Sequence, residues 1–255
     1  MIKYDDHNNK VISQFTQQAI PFSQLEGHLD SLDLLVKTSQ VDMKSNVLDV
    51  ASGPGLVATE FAKHCHSVEC LDLTPAMLEQ AEKRASEAKI SNISFREGDA
   101  MCLPYENNFF DVVVTRYSFH HFLTPEKVLQ EMIRVCKSGG CVVVADVAIE
   151  QRFMEQFNHI ERLRDSSHVS ALSLDTFEQL FSSDDFTRCS KTQYSVDVEL
   201  EKQLSVSFPK QGDDKKIRDL ITQDVGNNST GFNPKFINGE VFYSYPIFIY
   251  AGVKA

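Results

Sequence analysis

Short apolar runs alternate with amphipathic segments between residues 46 and 147. Within the amphipathic segments, apolar residues recur every three or four positions, which is typical of helices with one buried face. Two of these helices begin with Thr74-Pro75 and Thr124-Pro125, where a hydroxyl N-cap and a proline favour a helix start. The pattern predicts five strands, at residues 47–50, 67–71, 93–96, 110–115 and 141–147, and predicts that residues 137–140 end the preceding helix.

Strands that are apolar on both faces and alternate with helices are typical of a parallel sheet with helices on both sides. The sequence therefore predicts an α/β, doubly wound, mostly parallel sheet, whose ligand is expected outside the carboxyl ends of the strands. The first 45 residues are predicted to be mostly helical, as a cap before the first strand. Beyond residue 147 we predict helices at 151–163, 174–181 and 213–223 and two strands at 189–196 and 241–253.

The composition narrows the class of protein. The chain has 255 residues, of which 42% are hydrophobic and 24% charged, so intrinsic disorder is excluded as its main state. The formal net charge of −11 argues against a nucleic acid or an anionic membrane surface as the main partner, because both bind basic surfaces. Six cysteines without a C-x-x-C pair, and a start without an apolar signal-peptide core, predict a cytoplasmic protein.

One cluster of soft ligands is a candidate metal site. His64, Cys65, His66 and Cys70 lie within seven residues, where a helix ends and an apolar strand begins. Zinc sites use paired ligand spacings on turns, which this segment lacks. We therefore favour packing for the cysteines and a surface position for the histidines, and we expect no metal.

A glycine-rich loop follows the first predicted strand. Residues 53–58 fit the pattern G-x-G-x-x-[GA], and Asp72 follows 19 residues after Gly53, as in dinucleotide-binding proteins. Asp49, four residues before Gly53, would repel a pyrophosphate but attract an ammonium or sulfonium group. S-adenosylmethionine carries both cations and no phosphate. Asp72 can bind ribose hydroxyls with either cofactor, and Asp99, after the third strand, can accept a hydrogen bond from an adenine amine.

Five motifs occur in order over about a hundred residues: VLDVASGPG at 47–55, LDLTPAML at 71–78, GDAMCLP at 98–104, FDVVV at 110–114 and RVCKSGG at 134–140. In these motifs the chain resembles class I S-adenosylmethionine-dependent methyltransferases of the type-11 group. That group includes the ubiquinone/menaquinone-pathway methyltransferases, and the chain is most similar to uncharacterised bacterial members.

The resemblance implies a Rossmann-like, seven-stranded sheet in which the last two strands form an antiparallel hairpin. The final strand would then lie beside the fifth, with an insertion of about forty residues before it. The resemblance also implies cofactor contacts. These are Asp49, Ala51, Gly53 and Gly55 with the methionine part, Asp72 with ribose, Leu73 and Met77 with adenine, and Asp99 and Ala100 with the adenine edge. Arg116 is predicted as a further cofactor contact.

The segment after the fourth predicted strand contains the candidate catalytic residues Tyr117, His120 and His121. A histidine within reach of an acceptor O–H or N–H could remove its proton near neutral pH. The alternative is that one ring packs against the sheet while the other hydrogen-bonds to backbone.

Residues outside the core strands are predicted to bind the acceptor. Three of them are basic and close together in the sequence, which favours an anionic acceptor, although a solvated helix end is the alternative. The predicted acceptor-binding residues are Phe22, Arg162, Arg164 and His168.

Together these observations predict an enzyme that transfers a methyl group from S-adenosylmethionine to an oxygen, nitrogen or carbon atom of a small molecule. The alternatives are an NAD-type oxidoreductase and a non-catalytic module that binds S-adenosylmethionine. We predict one domain over residues 1–255, with a cap at 1–45, a cofactor-binding core at 46–147, and acceptor-side helices, the last two strands and the insertion at 148–255. The acceptor, the pathway and the oligomeric state are left open.

Overall fold

Nine strands form one sheet in the computed structural model, which describes residues 2–23 and 31–255, without the side chains of residues 2–4, 22 and 23. The strands are β1 Asn46–Val50, β2 Ser67–Asp72, β3 Ile93–Glu97, β4 Phe110–Arg116, β5 Cys136–Ile149, β6 Leu172–Ser173, β7 Phe186–Glu199, β8 Lys235–Ile237 and β9 Glu240–Lys254. The main path runs β3-β2-β1-β4-β5-β9-β7, with β6 paired to β5 and β8 paired to β9. Strands β1 to β5 are parallel, and β9 is antiparallel to both β5 and β7.

Helices cover both faces and the carboxyl-end edge of the sheet. The described helices are α1 Ile2–Ser23, α2 Leu32–Ser39, α3 Leu56–Phe61, α4 Pro75–Glu87, α5 Pro125–Val135, α6 Met154–Arg164, α7 Leu174–Leu180, α8 Leu200–Ser205 and α9 Asp213–Gln223. Short 3-10 helices lie at Phe119–His121 and Gln151–Phe153. Of the helices in the described part of the chain, none combines the length and apolarity that crossing a bilayer requires.

The core has a layer on each face of the parallel strands, and a third cluster of buried apolar residues lies among α6, α8, α9, β7 and β9. Val47 and Leu48 are neighbours in β1, and both are fully buried. Leu48 packs in a cluster with Met132 of α5, whereas Val47 packs in a second cluster with Phe61 of α3. Successive residues of a strand point to opposite faces, so the uninterrupted apolar runs in the sequence supply both layers.

The predicted fold class is confirmed, including the antiparallel last two strands and the position of the final strand beside the fifth. The predicted end of the fifth helix is wrong. That helix ends at Val135, and residues 137–140 belong to β5, where the pairing with β4 shifts register. Gly140 permits this irregularity, because a Cβ there would lie 2.7 Å from the carbonyl oxygen of Asp111.

Three short elements lie in segments where no regular element was predicted. They are β6, β8 and α8, which have two, three and six residues. Elements of this length contain too few positions to show a periodic pattern, and they form only when a long neighbouring strand or helix is already in place.

Candidate active site

The loop between β1 and α3 turns through left-handed backbone conformations. Ala51, Gly53 and Gly55 have φ values of 53°, 52° and 76°. Gly55 lies against α4, and a Cβ at this position would be 2.8 Å from the Cβ of Ala81. Only glycine combines this conformation with such a close approach. The loop is also tied to β2, because the N–H of Gly53 donates to Oδ2 of Asp72 over 2.8 Å.

A cavity, called here the first cavity, lies outside the carboxyl ends of the parallel strands and beneath α1. Two predicted cofactor residues, Asp49 and Gly55, do not line it, whereas the remaining predicted ones do. The predicted residues in its wall are Ala51, Gly53, Asp72, Leu73, Met77, Asp99, Ala100 and Arg116. The structure thus brings together residues that the sequence separates by more than sixty positions.

The three carboxylates predicted to bind the cofactor have different surroundings. Asp72 accepts hydrogen bonds from the N–H groups of Gly53 and Thr74, yet burial raises its pKa. Asp99 accepts from the N–H of Met101 at 2.8 Å and from Nδ2 of Asn8, on α1, at 3.0 Å. Asp49 is only 1% exposed, and burial raises its pKa well above the ordinary value.

Unsatisfied polar atoms cluster around the same loop. Oδ2 of Asp49, Oγ of Ser52 and Oγ1 of Thr74 are buried and have no hydrogen-bond partner among the described residues. Such atoms destabilise a protein unless something hydrogen-bonds to them, and Ser52 also lines the first cavity. A ligand with ammonium and hydroxyl donors in this cavity could bond to Ser52, Asp72 and Asp99, so these residues fit S-adenosylmethionine, whereas Asp49 and Thr74 do not line the cavity.

The positive charge at the first cavity is limited. Among the described residues, Arg116 is the only lysine or arginine that lines the first cavity. Its guanidinium donates to the hydroxyl of Tyr117 at 2.9 Å and to the hydroxyl of Tyr194 at 3.3 Å. Two acidic residues, Asp72 and Asp99, also line it. This balance favours a cationic ligand over a pyrophosphate.

The chain leaves β4 in a strained conformation at Tyr117, whose φ is 59°. A bulky residue with positive φ is uncommon, and such residues concentrate at functional sites. The 3-10 helix that follows presents His120 and His121 with ring centroids 4.2 Å apart. The predicted catalytic residues therefore lie together, one turn beyond the end of a central strand.

His120 is held by a carboxylate of the next strand. Its Nδ1 lies 2.6 Å from Oδ1 of Asp146, a residue of β5 that is 1% exposed. Asp146 also accepts hydrogen bonds from the N–H groups of Phe119 and Val147. Burial lowers the pKa of His120, but the charge and hydrogen bond of Asp146 outweigh burial and raise it overall.

The other two histidines of this region are kept neutral. Burial and the charge of His120 lower the pKa of His121 to about 3, and its Nδ1 lies 3.1 Å from Oγ of Ser167. Burial, then the charges of neighbouring histidines and arginines, lowers the pKa of His168. Nε2 of His168 donates to Oδ1 of Asn158 over 2.7 Å, while its Nδ1 is buried without a partner among the described residues.

A second cavity adjoins the first, and the two share Phe15, Tyr117 and His121 as walls. The second cavity is also lined by His120 and Asp146. Its position between the histidine pair and the last strands is where an acceptor could meet a cofactor bound in the first cavity.

The predicted acceptor-binding residues occupy different places. Arg164 lines the second cavity, but its Nη2 is paired with Oε2 of Glu161 at 2.6 Å. Arg162 is exposed outside both cavities and donates to the carbonyl of Val169, and His168 lies behind His120 with ring centroids 5.4 Å apart. The side chain of Phe22 lies outside the described residues. Of the three basic residues predicted to bind the acceptor, only Arg164 thus lines a cavity, and Glu161 neutralises its charge there.

Two charged residues of the second cavity, Asp146 and Glu161, were not singled out from the sequence. Asp146 could have been, because it is the only charged residue in the otherwise apolar segment 141–149. Glu161 gives no such signal, since it is one of several charged residues on α6. The described residues contain no group of three or more His, Cys, Asp or Glu side chains placed to hold a metal ion.

The neutral histidines predict sensitivity to acid. Folding lowers the pKa of His121 and His168 below the ordinary histidine value of 6.5. As the pH falls below 6.5, these histidines therefore bind protons in the unfolded chain but not in the folded one. Protonation then favours the unfolded chain, and the free energy of unfolding decreases. Each such histidine lowers the free energy of unfolding by up to about 1.4 kcal/mol per pH unit. We expect His168→Gln to reduce the change in the free energy of unfolding per pH unit, as measured by urea unfolding between pH 6.5 and 5.

The control is His159→Gln, which replaces an exposed histidine of α6. The same change per pH unit in His168→Gln as in the wild type would contradict the argument.

Comparison with known proteins identifies the domain. A family described as "Methyltransferase domain" matches residues 48–144. The chain is 35% identical to the uncharacterized methyltransferase YcgJ of Bacillus subtilis over 155 residues, which is 60% of this chain and 61% of that protein. It is 38% identical to the ubiquinone/menaquinone biosynthesis C-methyltransferase UbiE of a Ruegeria species over 104 residues, 39% of this chain and 41% of that protein.

The crystal structure of YcgJ from Bacillus subtilis superposes with a TM-score of 0.80 at 25% identity, covering 88% of this chain and 97% of that one. The sequence match to YcgJ spans about three fifths of its length, and the match to UbiE about two fifths. The family match at residues 48–144 includes the glycine loop and the strands around it. Residues 48–144 of this chain therefore match a methyltransferase domain, within a fold shared with YcgJ.

Proposed function

We propose that the chain is an enzyme that transfers a methyl group from S-adenosylmethionine, bound in the first cavity, to a small molecule bound in the second. The observation that carries this proposal is the contact between the two cavities at Phe15, Tyr117 and His121. One cavity has a glycine loop and carboxylates, and the other has a histidine held by a carboxylate. We treat residues 1–255 as one domain, with α1 as the cap over the first cavity.

Each group of residues has a task in this proposal. The loop at Gly53 and Gly55, with Asp49, holds the methionine part of the cofactor, while Asp72 binds the ribose and Asp99 the adenine. When bound, S-adenosylmethionine supplies an activated methyl carbon on a positive sulfur and is released as S-adenosylhomocysteine. The chain aligns the acceptor and excludes water, with Tyr117 and His121 at the shared wall and His120 in the second cavity. Transfer to a protonated nucleophile further requires a base, which the histidines can supply.

Asp49 tests the electrostatic part of the proposal. Asp49→Asn replaces the buried carboxyl group next to the glycine loop, whose charged form a cationic ligand would favour, so we expect its affinity for S-adenosylmethionine to fall about tenfold, the weight of one hydrogen bond to a charged group. Isothermal titration calorimetry with S-adenosylmethionine and with S-adenosylhomocysteine measures this loss. A larger loss for S-adenosylmethionine would show that Asp49 acts on the sulfonium, and equal losses would show that it acts on the ammonium.

The control for Asp49→Asn is Asp33→Asn, which removes an exposed carboxylate on α2. This control should bind both ligands as the wild type does. Wild-type affinity of Asp49→Asn for both ligands, in a protein that unfolds at the same urea concentration, would overturn the electrostatic argument.

The activity itself is tested by incubating the protein with methyl-labelled S-adenosylmethionine and a small-molecule extract of the cells that produce it. Transfer of label to a small molecule, with an equal amount of S-adenosylhomocysteine, supports the enzyme. Binding of S-adenosylmethionine without any transfer would favour the non-catalytic module. We also propose a cytoplasmic location, which the six free cysteines support.

A further inference from the structure

The charged groups of the second cavity already have hydrogen-bond partners within the protein. Arg164 donates to Glu161 through Nε and Nη2, and the hydroxyl of Tyr245 donates to the same carboxylate over 2.9 Å. Asp165 accepts from the N–H and the hydroxyl of Ser167. Among the described lining residues, Arg164 is the only lysine or arginine and has an internal partner, whereas three carboxylates line the cavity: Asp146, Glu161 and Asp165. An anionic acceptor would meet buried negative charge here, and separating these pairs to bind an ion would leave an uncompensated charge.

The second cavity also has apolar lining residues. They are Val147 of β5, Val196 and Val198 of β7, Ile247 of β9 and Phe15 of α1. A cavity that combines apolar side chains with already partnered charges and hydroxyl groups binds an uncharged molecule that has a few polar substituents.

One atom of this cavity is left without a protein partner. His120 uses Nδ1 for Asp146, and Nε2 has no hydrogen-bond partner among the described residues. The side chain is 13% exposed, so this nitrogen is accessible from the cavity that the ring lines. The Asp146 carboxylate accepts from Nδ1–H, which leaves the lone pair of the neutral imidazole on Nε2.

We propose that the second cavity binds an uncharged acceptor with an acidic O–H group, and that His120, positioned by Asp146, removes the proton of that O–H. The inference rests on the proposed function. The O–H proton moves to Nε2 of His120, and the oxygen lone pair forms the bond to the methyl carbon while the C–S electron pair stays with sulfur. His120 then gives the proton to solvent. Asp146 is thus a positioning residue, since it contacts His120 and not the reacting atoms.

The charged and titratable groups around His120 decide its pH dependence. Asp146 faces it from β5, Glu161 and Arg164 from α6, and His168 from the segment after α6, while His121 is its chain neighbour. The charge and hydrogen bond of Asp146 raise the pKa of His120 against the effect of burial. The base is active when neutral, so the acid limb of kcat should lie above the ordinary histidine pKa of 6.5.

Asp146→Asn tests the positioning role. We expect it to lower kcat by about 10²-fold or more and to move the acid limb to lower pH, with an affinity for S-adenosylhomocysteine within about twofold of wild type. Nuclear magnetic resonance titration gives the pKa of His120 directly, its signal being the one lost in His120→Gln.

Asp111→Asn is the matched control, because it removes a carboxylate at the other end of the sheet. An unmoved acid limb and an unmoved pKa of His120 in Asp146→Asn would overturn the proposal.

The wild-type protein provides a readout that needs no variant. Nitrogen chemical shifts should show neutral His120 protonated on Nδ1 and not on Nε2, and the reverse tautomer would overturn the proposal.

The acceptor class is tested on the labelled products of the cell extract, separated by anion and cation exchange at pH 7. Most of the label should elute with the uncharged molecules. Label mainly on an anion or a cation would overturn the acceptor class while leaving methyl transfer intact. If no product is labelled although S-adenosylhomocysteine binds, the proposed function itself fails, and this inference with it.

Discussion

Replacing His120 by glutamine should lower kcat by 10²–10⁴-fold, which is the usual contribution of a positioned general base. His120 is the histidine of this site that combines a carboxylate partner at 2.6 Å with a free nitrogen facing the second cavity. Glutamine can retain a hydrogen bond to Asp146 but cannot accept a proton near neutral pH. The affinity for S-adenosylhomocysteine should stay within about twofold, because His120 does not line the first cavity.

His121→Gln separates the two neighbouring histidines. His121 is held neutral with a pKa of about 3, so it is a far weaker base than His120. Its loss should therefore reduce kcat much less than the loss of His120, and any effect should include cofactor affinity, since His121 lines both cavities. Turnover is measured as S-adenosylhomocysteine released with the labelled acceptor pool. Wild-type turnover in His120→Gln, or a larger loss in His121→Gln, would contradict this assignment.

The second large effect is expected at Gly55. Gly55→Ala should destabilise the protein by about 3 kcal/mol. About 1–2 kcal/mol comes from a side chain in a left-handed conformation, and about 1–3 kcal/mol from overpacking against Ala81. The φ of Gly55 is 76°, and the new Cβ would lie 2.8 Å from the Cβ of Ala81. Relief of this contact moves the loop away from α4, so cofactor affinity should fall as well.

Gly139→Ala is the matched control for the conformational part of this effect. Its φ is 78°, and a Cβ there meets nothing within 4 Å. Urea unfolding should therefore show Gly139→Ala to be less destabilised than Gly55→Ala. Adding Ala81→Gly to Gly55→Ala should recover part of the lost stability. Equal destabilisation by the two single changes would show that the contact between the loop and α4 is not what requires glycine.

The central strands and the glycine loop could be predicted because their signals are local. The apolar run at residues 47–50 is followed by Gly53 and Gly55, and the two carboxylates of the first cavity lie where their strands end, Asp72 at the last residue of β2 and Asp99 two residues after β3. Parallel strands bring their carboxyl ends to one edge, so position along the chain was enough to place Asp72 and Asp99 together.

The second cavity could not be predicted in this way, because its walls come from segments far apart in the chain. Asp146 meets His120 across 26 residues, and Gln14 and Gln18 of α1 bond to the carbonyl of Ser207. Arg164 and Glu161 are three residues apart on α6, so their pairing is local. The pair is covered, however, by Tyr245 of the distant strand β9, whose hydroxyl donates to Glu161. The sequence shows the basic residues there but not that one of them is neutralised.

The most direct test of this account is a calorimetric titration of the wild-type protein with S-adenosylmethionine, S-adenosylhomocysteine and NAD under the same conditions. The carboxylates of the first cavity and its hydrogen-bonded Arg116 predict that both S-adenosyl compounds bind with a stoichiometry of one and that NAD does not bind. Binding of NAD in the absence of binding by either S-adenosyl compound would contradict the assignment of the first cavity and, with it, the proposed methyl transfer.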